Sequence, residues 1–328
     1  MKLASLRHPT KRDGELLIVS RDLKWALRAD SVAPNLREAV ENWSTARPKL
    51  EKLALELEKG AAPHKFPLDP SKLHSPFPRT FQWADGSAFL QHVKLVRKAR
   101  NAPIPDTLEK VPLMYQGGSD SFLTPTEDIP LIDENFGVDF EGEVAVVTDD
   151  VPMGVSPQQA LEHIVLIVLV NDVTLRGLIP DELAQGFGFF QSKPSSAFSP
   201  CALTPDELGP AWKEGRVHLP LLVDYNGKFF GNPDAGAMHF HFGDLIAHAA
   251  RTRSLAAGTV IGSGTVSNED LARGSSCIVE KRMLEKINEG EMHTPFMKAG
   301  DTIRIRMLSE KGENLFGDID QRVVPYAK

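Results

Sequence analysis

Residues 139–147 read Asp-Phe-Glu-Gly-Glu-Val-Ala-Val-Val, and residues 164–170 read Ile-Val-Leu-Ile-Val-Leu-Val. The first stretch is apolar at every position after Glu143, and the second is apolar throughout. Short apolar runs of this kind are typical of strands that are buried on both faces of a sheet. We therefore predict a strand over 138–147 that is buried on both sides and a central strand over 164–170 that is buried on both faces.

The segments around these two strands predict a strand-rich chain. Strands outnumber helices and do not alternate regularly with them, which argues against a doubly wound parallel sheet and favours an α+β fold. The further predicted strands are 3–6, 15–19, 25–27, 217–225, 228–230, 237–242, 259–263 and 302–307, and the predicted helices are 35–59 (interrupted at Pro48), 87–100, 157–162 and 243–251.

A loop over residues 60–79 predicts a domain boundary. It is dense in Pro, Ala, His and Lys and shows no helix or strand periodicity. We expect a small N-terminal domain of strands and one helix over residues 1–70 and a larger domain over residues 71–328.

Composition excludes several classes of protein. At 41% hydrophobic residues the chain predicts a folded protein, and its net charge of −7 without a basic block argues against nucleic acid as a partner. The longest apolar run, seven residues, is too short to span a membrane, and the N-terminus shows no signal-peptide core. Two distant cysteines fit a reducing compartment. We expect a soluble cytoplasmic protein.

Two carboxylates lie near the start of the predicted strand over 138–147. Glu141 and Glu143 are two residues apart, so on a strand they share a face with Ala145 and Val147. One interpretation is a charged face in contact with solvent. Because the strand then becomes apolar on both faces, the alternative is a pair of buried carboxylates, which requires compensating positive charge. A bound cation supplies that charge.

Other polar residues extend this hypothesis. Asp172 and Arg176 follow the predicted central strand, although an Asn-Asp pair can also simply end a strand. Asp85 precedes a predicted helix, where it can serve as an N-cap, and His92 on that helix can be a core histidine. If the four carboxylates converge, an all-oxygen site selects Mg²⁺, Ca²⁺ or Mn²⁺ over zinc.

A zinc site is the competing metal hypothesis. His239 and His241 alternate on a predicted strand and His248 lies nearby, but no third ligand has fixed spacing. Cys277 lies close to Glu280 without an evident base partner, so we interpret it as buried and inert.

Taken together, these pieces resemble the fumarylacetoacetate hydrolase family over roughly residues 75–325. The matching pieces are Asp85 with His92 seven residues on, Glu141 and Glu143, the Asn171-Asp172-x-Thr174-x-Arg176 segment, Lys193 in the Ser192–Ser196 loop, and Gly264-Thr265-Val266-Ser267. The resemblance implies the family's mixed β-sandwich/β-roll catalytic domain over residues 71–328. Gly177 departs from the family, where many relatives have an acid, which leaves the identity of the substrate open.

The resemblance also implies a role for each matching residue. The implied metal ligands are Asp85, Glu141, Glu143 and Asp172. The implied catalytic residues are His92, which activates a water, its partner Glu280, and Lys193 and Arg176; the implied substrate contacts are Tyr115, Arg176, Lys193 and Thr265.

The implied activity is metal-dependent hydrolysis of a C–C bond in a β-diketo acid. The Gly-Thr-Val-Ser form resembles the branch that cleaves fumarylacetoacetate to fumarate and acetoacetate in tyrosine and aromatic degradation. Mg²⁺ is the expected cation, with Ca²⁺ or Mn²⁺ as alternatives, and the expected assembly is a homodimer. The alternatives are an acylpyruvate hydrolase, an oxaloacetate decarboxylase or a 2-oxo acid hydratase or isomerase on the same metal site, and, from another class, a non-catalytic metal- or ligand-binding protein.

Overall fold

The computed structural model describes residues 1–99, 103, 104 and 106–327, which form a strand-rich α+β fold. A 12-stranded sheet has its strands in the spatial order 66–67, 25–28, 15–19, 2–6, 202–203, 164–171, 142–148, 260–262, 83–86 and 114–117, with 73–74 and 197–198 pairing beside it. A five-stranded sheet has the order 228–231, 221–225, 302–307, 319–325 and 129–131. None of the helices in these ranges has the length and apolar character needed to cross a bilayer.

The strands are β1 (Lys2–Leu6), β2 (Glu15–Val19), β3 (Trp25–Arg28), β4 (Phe66–Pro67), β5 (Leu73–His74), β6 (Trp83–Gly86), β7 (Met114–Gly117), β8 (Ile129–Leu131), β9 (Val138–Asp139), β10 (Gly142–Thr148), β11 (Ile164–Asn171), β12 (Thr174–Leu175), β13 (Ala197–Phe198), β14 (Ala202–Leu203), β15 (Trp212–Lys213), β16 (Arg216–Val217), β17 (Leu221–Tyr225), β18 (Lys228–Gly231), β19 (Val260–Gly262), β20 (Thr302–Met307) and β21 (Ile319–Pro325). The helices are α1 (Leu36–Glu41), α2 (Trp43–Glu58), α3 (Leu90–Ala99), α4 (Pro157–Ala160), α5 (Ile179–Ala184), α6 (Phe242–Ala249) and α7 (Ile278–Glu289).

The two strands are fully buried, as predicted, and the structure places them side by side and antiparallel. β10 pairs with β11 from Gly142 opposite Asn171 to Thr148 opposite Ile164. Val144 and Val146 belong to the core shared with the five-stranded sheet, whereas Ala145 and Val147 belong to the core shared with α1 and α2. Because each face of the strand is covered by a separate layer, the uninterrupted apolar pattern is explained.

The N-terminal strands extend the large sheet. β1 pairs antiparallel with β14, with Lys2 opposite Leu203 and Leu3 opposite Ala202, and β5 pairs with the other end of β1. Helices α1 and α2 pack on this sheet through Leu36, Val40 and Leu50, which are all buried. The division of the chain at residue 70 stays a prediction.

Residues 35–59 form two helices, and the interruption lies at Asn42 rather than at Pro48. Asn42 leaves helical geometry at ψ 34°, and its side-chain amide donates to the carbonyl of Glu38, which ends α1. Pro48 is accommodated inside α2. It removes one N–H donor, but Ala46 and Leu50 on either side of it are buried and hold the helix on the core.

Three predicted strands were wrong in part or whole. The strand over 138–147 is divided, because β9 pairs with β12 whereas β10 pairs with β11, and Phe140 and Glu141 connect them. Residues 237–242 are not a strand: a 3₁₀ turn ends at Ala237, and His241 is the N-cap of α6. The predicted strand over 217–225 is two short strands, β16 and β17.

Candidate active site

Three buried carboxylates converge at one end of neighbouring strands. Asp85 lies on β6, Glu143 on β10 and Asp172 directly after β11, and one oxygen of each lies within 4.8 Å of the other two. The strand order β11-β10-β19-β6 brings these three positions together. The structure thus groups three of the four predicted metal ligands.

Asp85 is held here by its neighbours on β19 and the loop after it. Its Oδ1 accepts a hydrogen bond from the backbone N–H of Gly264 at 2.9 Å, so it is not the N-cap of α3, which begins five residues later at Leu90. A Cβ on Gly262 would lie 2.2 Å from the same oxygen. Glycine at 262 is therefore required for the carboxylate to sit at this place.

The three carboxylates repel one another in a buried setting. Burial and the charge of Asp172 raise the pKa of Asp85 to about 8, and burial, with Asp85 and Asp172, raises the pKa of Glu143 well above its usual range. Both oxygens of Glu143 are buried without a hydrogen-bond partner among the described residues. Buried carboxylates without partners are costly, and a cation among these three oxygens removes that cost. The residues fit a hard divalent cation.

Glu141, the fourth predicted ligand, lies between two basic side chains. Its oxygens accept from Arg176 Nη2 and from Lys193 Nζ, both at 2.6 Å. Burial would raise the pKa of Glu141, but the two basic groups together lower it below its usual range. Its role as a metal ligand stays a prediction.

Lys193 connects the predicted residues to one another. Its Nζ donates to Asp172 at 2.5 Å as well as to Glu141, and to the hydroxyl of Thr174 at 2.9 Å. Tyr115 donates its hydroxyl to the same Asp172 oxygen at 2.6 Å. Although burial disfavours the charged ammonium, the two carboxylates raise the pKa of Lys193 above its usual range, so it remains a cation.

The predicted base and its partner also meet. His92 on α3, Cys277 and Glu280 on α7 each place one ligand atom within 4.8 Å of the others. Burial lowers the pKa of His92 to about 4, so its imidazole is neutral at pH 7 and can accept a proton. Burial raises the pKa of Glu280 to about 7, although the hydrogen bond of 2.5 Å that its carboxylate accepts from Ser267 lowers this pKa.

A cavity of about 130 Å³ lies between His92 and the carboxylates of Asp85 and Glu141. Apart from the proposed metal ligands, five residues that the family resemblance predicted as site residues line this cavity: His92, Tyr115, Arg176, Lys193 and Thr265. Three apolar side chains, Phe89, Ile179 and Phe189, line it as well. Phe189 packs edge-on against Tyr115, with ring centroids 5.4 Å apart. These three residues were not predicted from the sequence, since an apolar residue in a loop or helix carries no chemical signature.

Asp139 is a further residue that was missed. Its carboxylate binds Arg176 Nε at 2.9 Å and accepts the backbone N–H groups of Ile278 at 2.7 Å and Val279 at 3.0 Å. It therefore caps the N-terminus of α7, the helix that carries Glu280, and anchors Arg176 at the same time. Its alternation with Glu141 along the chain was the signal available in the sequence.

The histidines that were considered as zinc ligands make other contacts in the structure. His239 Nε2 contacts the carbonyl of Glu109 at 2.9 Å, and His241 Nδ1 accepts from the backbone of Asp244 to cap α6. Neither belongs to a group of potential metal ligands within the described part of the chain.

Three buried carboxylates whose oxygens lie within 4.8 Å of one another, with a neutral histidine in the adjoining cavity, are typical of a metal-dependent enzyme. The model of the fumarylacetoacetate (FAA) hydrolase C-terminal domain matches residues 82–324, and that of fumarylacetoacetase N-terminal domain 2 matches residues 1–79. The chain belongs to the fumarylacetoacetate hydrolase family.

Curated relatives are distant. A 2,4-didehydro-3-deoxy-L-rhamnonate hydrolase of Sphingomonas sp. is 27% identical over 50% of this chain and 55% of the relative. Oxaloacetate tautomerase YisK of Bacillus subtilis is 24% identical over 73% of this chain and 71% of the relative. Mitochondrial oxaloacetate tautomerase fahd2 of Xenopus laevis is 25% identical over 62% and 56%. The matches thus cover little more than half of two of these relatives.

Solved structures share the fold over the whole chain. A putative HpcE protein from Mycobacterium smegmatis superposes with a TM-score of 0.68 at 19% identity, covering 100% of both chains. Maleylpyruvate hydrolase from Sphingobium sp. SYK-6, in complex with manganese(II) and pyruvate, superposes with a TM-score of 0.67 at 15% identity, again over 100% of both chains. At these identities the likeness establishes the fold.

Proposed function

We propose that the chain is a divalent-cation-dependent hydrolase that cleaves a C–C bond in a small β-diketo acid, with fumarylacetoacetate as the first candidate substrate. The observation that carries this proposal is the unpartnered Glu143 carboxylate, which lies with Asp85 and Asp172 near a cavity that holds the neutral His92. The hydrolases among the relatives support hydrolysis as the reaction.

The cation belongs to the three grouped carboxylates, with Glu141 as the proposed fourth ligand. A bound divalent cation supplies Lewis acidity toward the oxo and enol oxygens of the substrate. Oxygen ligands favour Mg²⁺, with Mn²⁺ or Ca²⁺ as alternatives, and the manganese(II) in the maleylpyruvate hydrolase structure supports a metal of this kind.

His92 acts in this proposal as the general base. Its neutral imidazole takes a proton from a water that attacks one carbonyl of the substrate. Glu280 lies beside it, and a carboxylate at this distance steadies the imidazolium that forms. The proton then passes to the carbon that leaves, so that one water is consumed and two acids are produced.

The basic residues receive the negative charge of the substrate. When the C–C bond breaks, its electron pair goes to the departing carbon and is delocalised onto the neighbouring oxygen as an enolate. Lys193 and Arg176, which line the cavity, stabilise negative oxygens in a partly dry site. Tyr115 and Thr265 are positioned on the cavity wall to bind the carboxylates or oxygens of the substrate.

Turnover of fumarylacetoacetate tests the proposal directly. Its ultraviolet absorbance should fall in the presence of Mg²⁺ or Mn²⁺, with fumarate and acetoacetate as products. Treatment with EDTA should stop the reaction, and added metal should restore it. Full activity after verified removal of the metal would contradict the role of the carboxylates.

A histidine substitution tests the base. His92→Ala should lower kcat by roughly 10²- to 10⁴-fold, the usual contribution of a positioned general base. Binding of Mg²⁺, measured by calorimetry, should be retained, because His92 is not in the group formed by the three carboxylates. His293→Ala is the matched control, since His293 is exposed on the surface beside Glu289. Unchanged turnover in His92→Ala would remove His92 from the mechanism.

A tautomerase of oxaloacetate is the second candidate. Three relatives carry this name. The cavity of about 130 Å³ is well below the roughly 300–1,000 Å³ of sites for drug-sized ligands, which favours a small acid. Parallel assays with acylpyruvates and oxaloacetate separate the candidates. Tautomerisation without release of a second product would replace hydrolysis, and binding of metal without turnover of any of these acids would support a non-catalytic protein.

We also propose a cellular location, an assembly and a metabolic role for the enzyme. We expect a cytoplasmic homodimer that acts in aromatic degradation, and light scattering after size-exclusion chromatography measures the dimer. A monomer with full activity would show that the site is complete in one chain.

A further inference from the structure

A second group of potential metal ligands lies next to the carboxylate cluster and differs from it in chemistry. His92, Cys277 and Glu280 offer one nitrogen, one sulfur and one oxygen, all within 4.8 Å of one another. The sulfur of Cys277 is 4.0 Å from His92 Nδ1. Cys277 is the N-cap of α7 and Glu280 lies one turn further along, so both side chains come from the start of one helix and meet His92 from α3.

This group is not satisfied by its protein neighbours. One oxygen of Glu280 accepts from Ser267, but the other is buried without a hydrogen-bond partner among the described residues. Cys277 is fully buried, and burial raises the pKa of its thiol well above the usual range. The thiol alone is therefore inert, and a bound metal ion is the agent that displaces its proton.

We propose that His92, Cys277 and Glu280 form a second metal site that takes a borderline-soft cation such as Zn²⁺. Zinc is held by this combination of sulfur, nitrogen and oxygen donors at about 2.0–2.3 Å, which places tetrahedral ligands roughly 3.3–3.6 Å apart. The sulfur of Cys277 now lies 4.0 Å from His92 Nδ1, and all three ligand atoms lie within 4.8 Å of one another. Side-chain shifts of about 1 Å bring these separations into the range for zinc. The all-oxygen cluster prefers Mg²⁺ or Mn²⁺, so the two sites sort cations by ligand softness.

Occupation of this site has a consequence that rests on the proposed function. When one ring nitrogen of a neutral imidazole binds a metal, the other carries the proton. His92 then no longer accepts a proton from water. Zn²⁺ is therefore expected to inhibit the hydrolase while Mg²⁺ remains bound at the carboxylates.

Cobalt(II) tests the site without any substrate, so the result does not depend on the proposed function. Protein with excess Mg²⁺ is titrated with Co²⁺, and a thiolate-to-cobalt band in the near ultraviolet should saturate at one equivalent. Cys277→Ser should lose the band and bind Zn²⁺ at least about 100-fold more weakly, since even outer-shell changes cost 10- to 100-fold. Serine is a favoured N-cap, so this variant should keep α7 folded.

Cys201→Ser is the matched control. Cys201 is buried and free like Cys277 but belongs to no group of potential ligands in the described residues, and its variant should keep the cobalt band. Absence of the band in the unmodified protein, or its persistence in Cys277→Ser, would overturn the proposal. If Cys277→Ser does not fold, Glu280→Gln serves instead: weaker Zn²⁺ binding supports the site, and unchanged affinity refutes it.

Discussion

Replacement of Asp85 by Asn should stabilise the metal-free protein, although it removes a proposed metal ligand. In the folded state burial and Asp172 raise the pKa of Asp85 from its ordinary 3.8 to about 8. The folded state therefore holds a proton that the unfolded state has released, and stability falls as pH rises between these two values. At about 1.36 kcal/mol per pH unit, the penalty reaches roughly 4 kcal/mol at pH 7.

Asparagine removes this penalty and keeps an oxygen that can accept from the backbone N–H of Gly264. We expect Asp85→Asn in EDTA to be more stable than the unmodified protein by about 2–4 kcal/mol at pH 7–8, and nearly equal to it at pH 4. For a chain of 328 residues, a gain of this size raises Tm by roughly 3–6 °C.

Thermal unfolding in EDTA at several pH values measures the effect, with Asp128→Asn as an exposed control. Mn²⁺ at 1,000 times its Kd should cancel this difference or reverse it, because it contributes about 4.1 kcal/mol to a protein that binds it. Equal stability of Asp85→Asn and the unmodified protein at pH 8 in EDTA would refute the electrostatic reasoning.

Two further predictions concern the residues around the cavity. Ser267→Ala removes the hydrogen bond that lowers the pKa of Glu280, so the pKa of Glu280 should rise above about 7. The acidic limb of the pH profile of kcat/KM should then move to higher pH. A limb that does not move would show that Glu280 takes no part in catalysis. Phe189→Ala removes the ring that packs against Tyr115 and should raise KM several-fold with little change in kcat. The control Phe187→Ala, at a side chain that is 83% exposed, should change neither constant. Equal effects of the two variants would exclude Phe189 from substrate binding.

The parts of the fold that were predictable are those with a strong local pattern. The run over 164–170 leaves no polar face, so it identified a central strand, and β20 has the same bounds as predicted because its apolar residues alternate. Glu141, Glu143 and Asp172 were singled out because charge next to such a run requires an explanation, whereas the family resemblance added Asp85. The structure then placed three of them within 4.8 Å of one another.

The parts that were not predictable depend on partners distant in sequence. His241 caps α6 through Asp244, which turned an apparently alternating segment into a helix start. Strand β21 was not predicted. It pairs on one side with β20 and on the other with β8, which lies more than 190 residues earlier in the chain. Asp139 looked like one more charge on a strand, and only the fold brings Ile278 to it. Such contacts carry no short-range signature.

The two-sided burial of β10 has a consequence for any shortened version of the protein. Ala145 and Val147 face the N-terminal helices, and these positions alternate with the face on which the five-stranded sheet packs. Truncation at residue 70 would strip that cover and leave the edge of β14 unpaired where β1 now binds. An uncovered apolar sheet with an open edge is prone to intermolecular association. The first 70 residues therefore shield the strand that carries Glu143 from other molecules, and a fragment without them should precipitate.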